Sequence, residues 1–418
     1  MTSFTLPPFM YRLLHVAIFL LIPLAIIAPH MVVWEIVIGG LIGLYYSRGH
    51  FSKIPSQPLI IILFMIPLWA LVTALWAEHP LASLITGLRI LTLITLGLYW
   101  CQLTINLSQQ TQKSLIMALV SGLFLGILLL IVDIWLGNPW QIFWGKSPAK
   151  AFSQGSLLIS LVAWPTTLWI LQQPYALRWR VGLLVCLLTF LFWILLQIDC
   201  DTSFIGLFIG ICVFLGTLSL PRFTSWGMRF FIPVLVAAFP FISVFAFKPH
   251  EISTYYNNYL HKNSYLDRLY IWNDVATTIF DHPWKGIGMD GTRHHEKIQM
   301  VRNWSFIDQM GNQHEIQTKR FSIHPHNAIL QLWLELGLLG FILGVLLVYQ
   351  VLFQIYRTNL LSLEKAVSAG LFAGAFLTIW VNLGFWQNWW ISGLWIIIGL
   401  TISMFKGRGG ISEKAYAL

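Results

Sequence analysis

The chain has 418 residues, of which 57% are hydrophobic and only 10% charged, against the roughly 25% charged content of a water-soluble domain. That composition excludes a chain solvated on every side. The formal net charge of +9 does not mark a nucleic-acid binder, because the cations are scattered through short loops between apolar runs, a pattern that sets membrane topology instead of forming a patch.

Twelve apolar runs are predicted as membrane-spanning helices, making an all-α polytopic protein. They cover residues 11–29, 31–46, 58–76, 81–101, 114–137, 153–172, 181–198, 202–220, 230–247, 326–355, 365–383 and 390–405. The first follows a single cation, Arg12, and lacks a small-residue cleavage site, so it reads as a retained span. The tenth is the longest and is expected to tilt or project beyond the lipid. With 21 tryptophans, the chain also fits a protein with aromatic belts at the membrane surfaces. Four cysteines (Cys101, Cys186, Cys200, Cys212) lie in or beside apolar runs, and no disulfide framework follows from them.

Lysines and arginines in the short loops orient the spans. Arg48, Lys53, Lys113, Arg178, Arg180, Arg222, Arg229, Arg357, Lys365, Lys406, Arg408 and Lys414 fall on one side, against Lys146 and Lys150 on the other. The charge rule then puts both termini in the cytoplasm. It divides the chain into helices one to nine (1–247), an outer loop (248–325), and helices ten to twelve with a cytoplasmic tail (326–418).

The outer loop differs in composition. It holds half of the sixteen acidic residues, and eight of the twelve histidines lie between 250 and 326. Residues 264–281 are predicted as a helix near the membrane surface. Ser264-x-x-Asp267 opens it, Pro283 follows it, and Leu266, Tyr270, Ile271, Val275 and Ile279 form its apolar side. Gly286-Ile-Gly288-Met-Asp290-Gly291 is expected to turn, and residues 292–322 to be irregular.

Several clusters have the right chemistry for a site. Arg268 and Trp272 stand one helical turn apart: a guanidinium fork suits phosphate, and an indole face suits a sugar ring. The alternative is an Arg268 pair with Asp267 or Asp274 and an interfacial Trp272 anchor. His324-Pro325-His326-Asn327 opens the tenth span, where a helix N-terminus favours an anion and keeps a histidine neutral, as a general base requires. Asn327, Gln331 and Glu335 recur every four residues and share one face. A carboxylate inside a span suggests function, while interhelical hydrogen bonding is the alternative. Arg89 inside the fourth span needs an anionic partner, either Glu35, Asp133 or a ligand phosphate. Asp199-Cys200-Asp201 reads best as a turn or cap. The remaining histidines match no zinc spacing, and neither a metal nor a cofactor is expected.

The run Arg268-Leu-Tyr-Ile-Trp272, then His282-Pro283-Trp-Lys-Gly286-Ile-Gly288, then His324-Pro-His326-Asn327-Ala-Ile-Leu-Gln331-Leu-Trp-Leu-Glu335-Leu-Gly337 resembles the signature of the O-antigen ligase and polymerase superfamily. Lys150-Ala-Phe-Ser-Gln-Gly155 is similar to another of its patches. The resemblance implies an inverting, metal-independent glycosyltransferase of the GT-C type, with Arg268 and His326 as the functional pair. Arg89, Lys150, Trp272, His324, Asn327 and Gln331 are then expected at the substrate.

The donor would be a glycan on undecaprenyl pyrophosphate, and the acceptor a lipid A–core hydroxyl or a glycan. The place would be the periplasmic face of a bacterial inner membrane. One dominant outer loop leans to a ligase over a polymerase. A transporter or flippase of an anionic glycolipid is the alternative from another class. Ser203 is followed by Phe204 where the family usually has a Ser-Arg pair, so either Lys150 or Arg89 supplies the missing charge or the donor differs.

Overall fold

The computed structural model describes residues 5–46, 57–137, 153–198, 200–247, 263–281, 283–307, 313–357 and 360–405, excluding the side chains of 263–266 and 302–319. The Lys150 site and Asp199 lie outside the described residues.

The expected helices are present as α1 (Pro8–Ile27), α2 (Val32–Tyr46), α3 (Gln57–Thr73), α4 (Pro80–Asn106), α5 (Gln109–Trp135), α6 (Ser153–Gln172), α7 (Leu177–Leu196), α8 (Asp201–Ser219) and α9 (Pro221–Ala246). A further helix, α10 (Asn263–Asp281), follows, and then α11 (Ala328–Arg357), α12 (Ser362–Val381) and α13 (Asn388–Ser403). Ten membrane-length apolar helices occur among the described residues, with α2 reaching that length through a short turn at its start; α3 and α13 are shorter apolar helices at two further predicted spans. The chain is a polytopic helical membrane protein.

Helices that approach closely do so through small residues, because lipid supplies no hydrophobic drive between spans. α8 and α12 carry matching pairs, Gly206 and Gly210 against Gly370 and Gly374. A Cβ on Gly210 would lie 3.0 Å from the Gly370 carbonyl oxygen. Trp164 of α6 fills the space beside the pair. Around α6, helices α1, α2, α4, α5, α7, α8, α12 and α13 share one apolar core. A second core joins α3, α4 and α9 to α10 and the start of α11.

One expectation is revised. Residues 292–322 are not wholly irregular: β1 (Val301–Ile307) and β2 (Gln313–Lys319) pair antiparallel, and two short 3₁₀ turns precede them. The long tenth span is also interrupted. Gly337 has φ 68° and ψ −166°, a conformation essentially confined to glycine. A nine-residue helix, 328–336, therefore ends inside the protein before the long part of α11 begins.

Candidate functional site

The break exposes carbonyl groups that no helical N–H reaches. The Gly286–Gly288 turn supplies the missing donors. Ile287 N–H donates to Leu334 O at 2.9 Å and Gly288 N–H to Glu335 O at 2.9 Å. Trp69 Nε1 donates to Leu336 O at 2.8 Å. Conversely, Trp333 Nε1 donates to Pro283 O at 2.9 Å. Contact is close enough that a Cβ on Gly286, itself at φ 69°, would lie 2.5 Å from Gly337 N.

Glu335 is fully buried at this junction. Its carboxylate accepts from Asp290 N (2.8 Å), Thr292 Oγ1 (2.6 Å), Gln331 Nε2 (3.1 Å) and Trp386 Nε1 (2.5 Å). A buried carboxylate is tolerated when its oxygens are met in this way. Gln331 Oε1 in turn accepts from Phe385 N at 2.8 Å. Asn327 caps the short helix, its Oδ1 accepting from Ile329 N and Leu330 N, both at 3.1 Å, while Nδ2 donates to Trp380 O. Asn327 and Gln331, expected at the substrate, thus spend these groups on the scaffold.

His326 stands just before that cap with φ 53°, a left-handed conformation unusual outside glycine, asparagine and aspartate. Its Nδ1 lies 2.6 Å from the Asn382 carbonyl oxygen. A carbonyl can only accept, so Nδ1 carries the proton and Nε2 is the basic nitrogen of the neutral ring. Asn382 closes α12, and its Nδ2 reaches Cys200 Sγ at 3.9 Å.

His324 packs edge-on to His326, with ring centroids 4.3 Å apart, and is buried with no partner on Nδ1. Burial, followed by the charges of His326, Arg293 and Arg268, pushes its pKa down to about 3. His324 is therefore a neutral spacer behind His326.

On α10, Tyr270, Ile271, Val275 and Ile279 are buried as the pattern requires. Trp272 is enclosed by protein. It is only 8% exposed, its ring meets Phe239 edge-on at 5.1 Å, and Nε1 donates to Pro325 O at 3.0 Å. The indole thus fixes the backbone one residue before His326. Arg268 occupies the turn before Trp272, close enough for its charge to act on His324. Asp274, one expected partner of Arg268, meets Arg320 at 3.4 Å.

Arg89 reaches neither Glu35 nor Asp133, the two acids expected for it. Its Nη2 donates to Thr86 Oγ1 at 3.4 Å, and Thr86 Oγ1 donates to Asp290 Oδ2 at 3.4 Å. Asp290 also pairs with Arg293 Nε at 2.8 Å. Sequence reasoning missed Arg293, Asp290, Thr292, Asn382 and Trp386. Asp290-Gly291 gave a turn signal, but nothing in the spacing linked the turn to residue 335.

The fold and this junction define a multi-pass membrane protein whose polar side chains gather where a folded loop meets a broken span. Residues 184–345, which include the stretch from Arg268 to Gly337, match the family model described as O-antigen ligase. The chain is 28% identical over 79% of its length to a protein of Rickettsia conorii named "Putative polysaccharide ligase RC0486", covering 76% of that relative. It is 29% identical to a Rickettsia bellii protein, "Putative polysaccharide ligase", over 79% and 76% of the two chains. A Rickettsia typhi relative of the same description is 26% identical over 79% and 77%. Over this stretch the chain is similar to O-antigen ligases, and over most of its length to proteins named as polysaccharide ligases.

Proposed function

We propose that the chain transfers a glycan from undecaprenyl pyrophosphate to a lipid A–core hydroxyl at the periplasmic face of the inner membrane, both termini being cytoplasmic. The His326–Asn382 contact carries this reading. It orients the ring and leaves Nε2 basic, as an acceptor-activating base requires.

In the step, Nε2 of His326 takes the proton from the acceptor hydroxyl as its oxygen bonds to the anomeric carbon. The bond from that carbon to the phosphate oxygen breaks, and polyprenyl pyrophosphate leaves with the electron pair. Attack opposite the leaving group inverts the anomeric centre. Arg268 faces the negative charge that grows on the pyrophosphate, stabilising the transition state more than the bound donor. The arginines meet that charge without a metal ion in this reading. The two histidines divide the work: His324 stays neutral and shapes the pocket, while His326 exchanges the proton.

The test is reconstitution of the purified protein with undecaprenyl-pyrophosphate-linked glycan and a lipid A–core acceptor. Wild type should form the glycan–core linkage, while His326→Ala and Arg268→Ala should not. Elongation of the carrier-linked glycan in place of linkage to the core would make the protein a polymerase. Movement of the donor across the bilayer without any linkage would make it a flippase.

A further inference from the structure

Far from His326, α1 and α5 run side by side, and the space between them changes along their length. Deep in the pair the helices touch through glycine. A Cβ on Gly122 would collide with the Phe19 carbonyl oxygen, and one on Gly126 with the Ile22 side chain. At the starting ends a side chain stands between them instead. Tyr11 Oη and Ser114 Oγ are 2.6 Å apart, and the Tyr11 ring packs against His15 with centroids 5.9 Å apart. The partners 11–114, 19–122 and 22–126 rise together, so the two helices are parallel. Beside this seam lies a groove of about 540 Å³, walled by His15 and Phe19 on α1 and by Lys113, Met117 and Ser121 on α5. The three α5 residues recur every four positions and share one face.

The groove is graded along its length. Gln110, Lys113 and Ser114 lie at its mouth, and Phe19, Met117 and the small Ala118 lie deeper. From Gln110 to Ser121 the helix rises roughly 16 Å, about half of a hydrocarbon core of about 30 Å. The groove thus has the depth of one leaflet. Its mouth is cationic: Lys113 is exposed, and so is Arg12, one turn before His15 on α1. His15 offers a ring N–H in either tautomer. The ion pairs found among the described residues, Asp290–Arg293 and Asp274–Arg320, lie elsewhere. Where α1 and α5 start, the acid present among the described residues is Glu364, which is buried and accepts from Leu361 N at 3.0 Å. No carboxylate there competes for Lys113 and Arg12.

We propose that the α1–α5 groove binds one anionic phospholipid, with its phosphate at Lys113 and Arg12 and an acyl chain along Phe19, Met117 and Ser121. In the orientation proposed above this is the cytoplasmic leaflet, opposite the His326 side, so the lipid is not the glycan donor. A free phosphate would satisfy the mouth alone and leave the apolar depth of the groove uncovered. A neutral lipid would cover the depth and leave two cations without an anion. An anionic lipid meets both, each cation near the headgroups favouring it about fivefold. The bound lipid would bridge α1 and α5 where Tyr11 holds them apart, and a ligand that binds only the folded chain stabilises it.

The test is native mass spectrometry of the full chain released from detergent with phosphatidylglycerol, phosphatidylcholine or inorganic phosphate added. Wild type should retain one phosphatidylglycerol at least about tenfold better than phosphatidylcholine. Lys113→Gln and Arg12→Gln should each weaken that retention about fivefold. Ser121→Trp, at an exposed position, should fill the deep end and weaken retention of both lipids with every charge in place. Arg178→Gln, which removes an exposed cation on α7, should change nothing. Equal losses in Arg178→Gln and Lys113→Gln would overturn the site, reducing it to the general charge of this surface. Displacement of phosphatidylglycerol by inorganic phosphate would overturn the lipid in favour of a bare anion. Equal retention of the two lipids, or of neither, would overturn the charged mouth, and wild-type retention in Ser121→Trp would overturn the groove. No readout needs turnover, so failure of the proposed glycan transfer would leave this result untouched.

Discussion

His326 Nδ1 and the Asn382 carbonyl oxygen are 2.6 Å apart, across a gap of 56 residues in sequence. This contact fixes one tautomer, and it does so from a residue whose backbone is itself strained at φ 53°. Chemistry and strain can be separated by substitution. His326→Gly should relieve a left-handed conformation that costs an L-residue roughly 1–2 kcal/mol, so its melting temperature should equal or exceed that of wild type. Its transfer rate should fall by about 10²–10⁴, the usual contribution of a general base. A variant that is both unstable and inactive would assign His326 a structural role.

The Gly286–Gly337 junction should be intolerant of any side chain. Gly337→Ala must hold φ 68° and ψ −166° and would drive its Cβ into the Trp284 carbonyl. A loss of about 3 kcal/mol or more is expected, because strain of this kind alone is worth about 1–3. Thermal unfolding in detergent measures it. A wild-type melting temperature for Gly337→Ala would mean that the break is not a fixed feature.

Glu335 makes a sharper comparison. Glu335→Ala strands the donors of Asp290, Thr292, Gln331 and Trp386, each costing about 1–3 kcal/mol if left buried without an acceptor. Glu335→Gln keeps the shape and one acceptor oxygen but sets an amide N–H₂ against N–H and O–H donors. Both variants should unfold earlier, Ala more than Gln, and neither should recover in Glu335→Asp, whose shorter arm falls back from Trp386. Equal stability of all three would remove the keystone role.

His324 predicts a pH dependence with a definite sign. Its folded pKa is lowered to about 3 by burial first, against about 6.5 in the unfolded chain. The unfolded state binds more protons in that interval, so stability from this group is complete above about pH 6.5 and is lost as pH falls toward 3, at about 1.4 kcal/mol per unit. His324→Asn should flatten the melting temperature between pH 6 and 4 relative to wild type. An unchanged slope would show that other groups govern acid unfolding.

The helices were legible because their apolar length is set by the bilayer and little else. The apolar positions of α10 were equally clear: Tyr270, Ile271, Val275 and Ile279 are all buried. The hairpin was not, since Gln-His-Glu-Ile-Gln-Thr-Lys has no apolar alternation and β2 pairs through its backbone. His326 and Arg268 were visible as motif residues. The contacts of Glu335 with Asp290 and Thr292, and of Arg89 with Asp290 through Thr86, were not, because only the fold brings the 290–292 turn to α4 and α11. The burial of Trp272 was hidden for a related reason: Phe239, which packs against it, belongs to another span.

The broken span also determines where this chain can change. Residues 283–290 are pinned to the break by Ile287, Gly288 and Asp290, and residues 325–327 are pinned by Trp272, Asn382 and Trp380. Both ends of the intervening stretch, hairpin included, are thus anchored independently of its length. Its hairpin therefore behaves as a cassette that can be resized while the ring of His326 keeps its place.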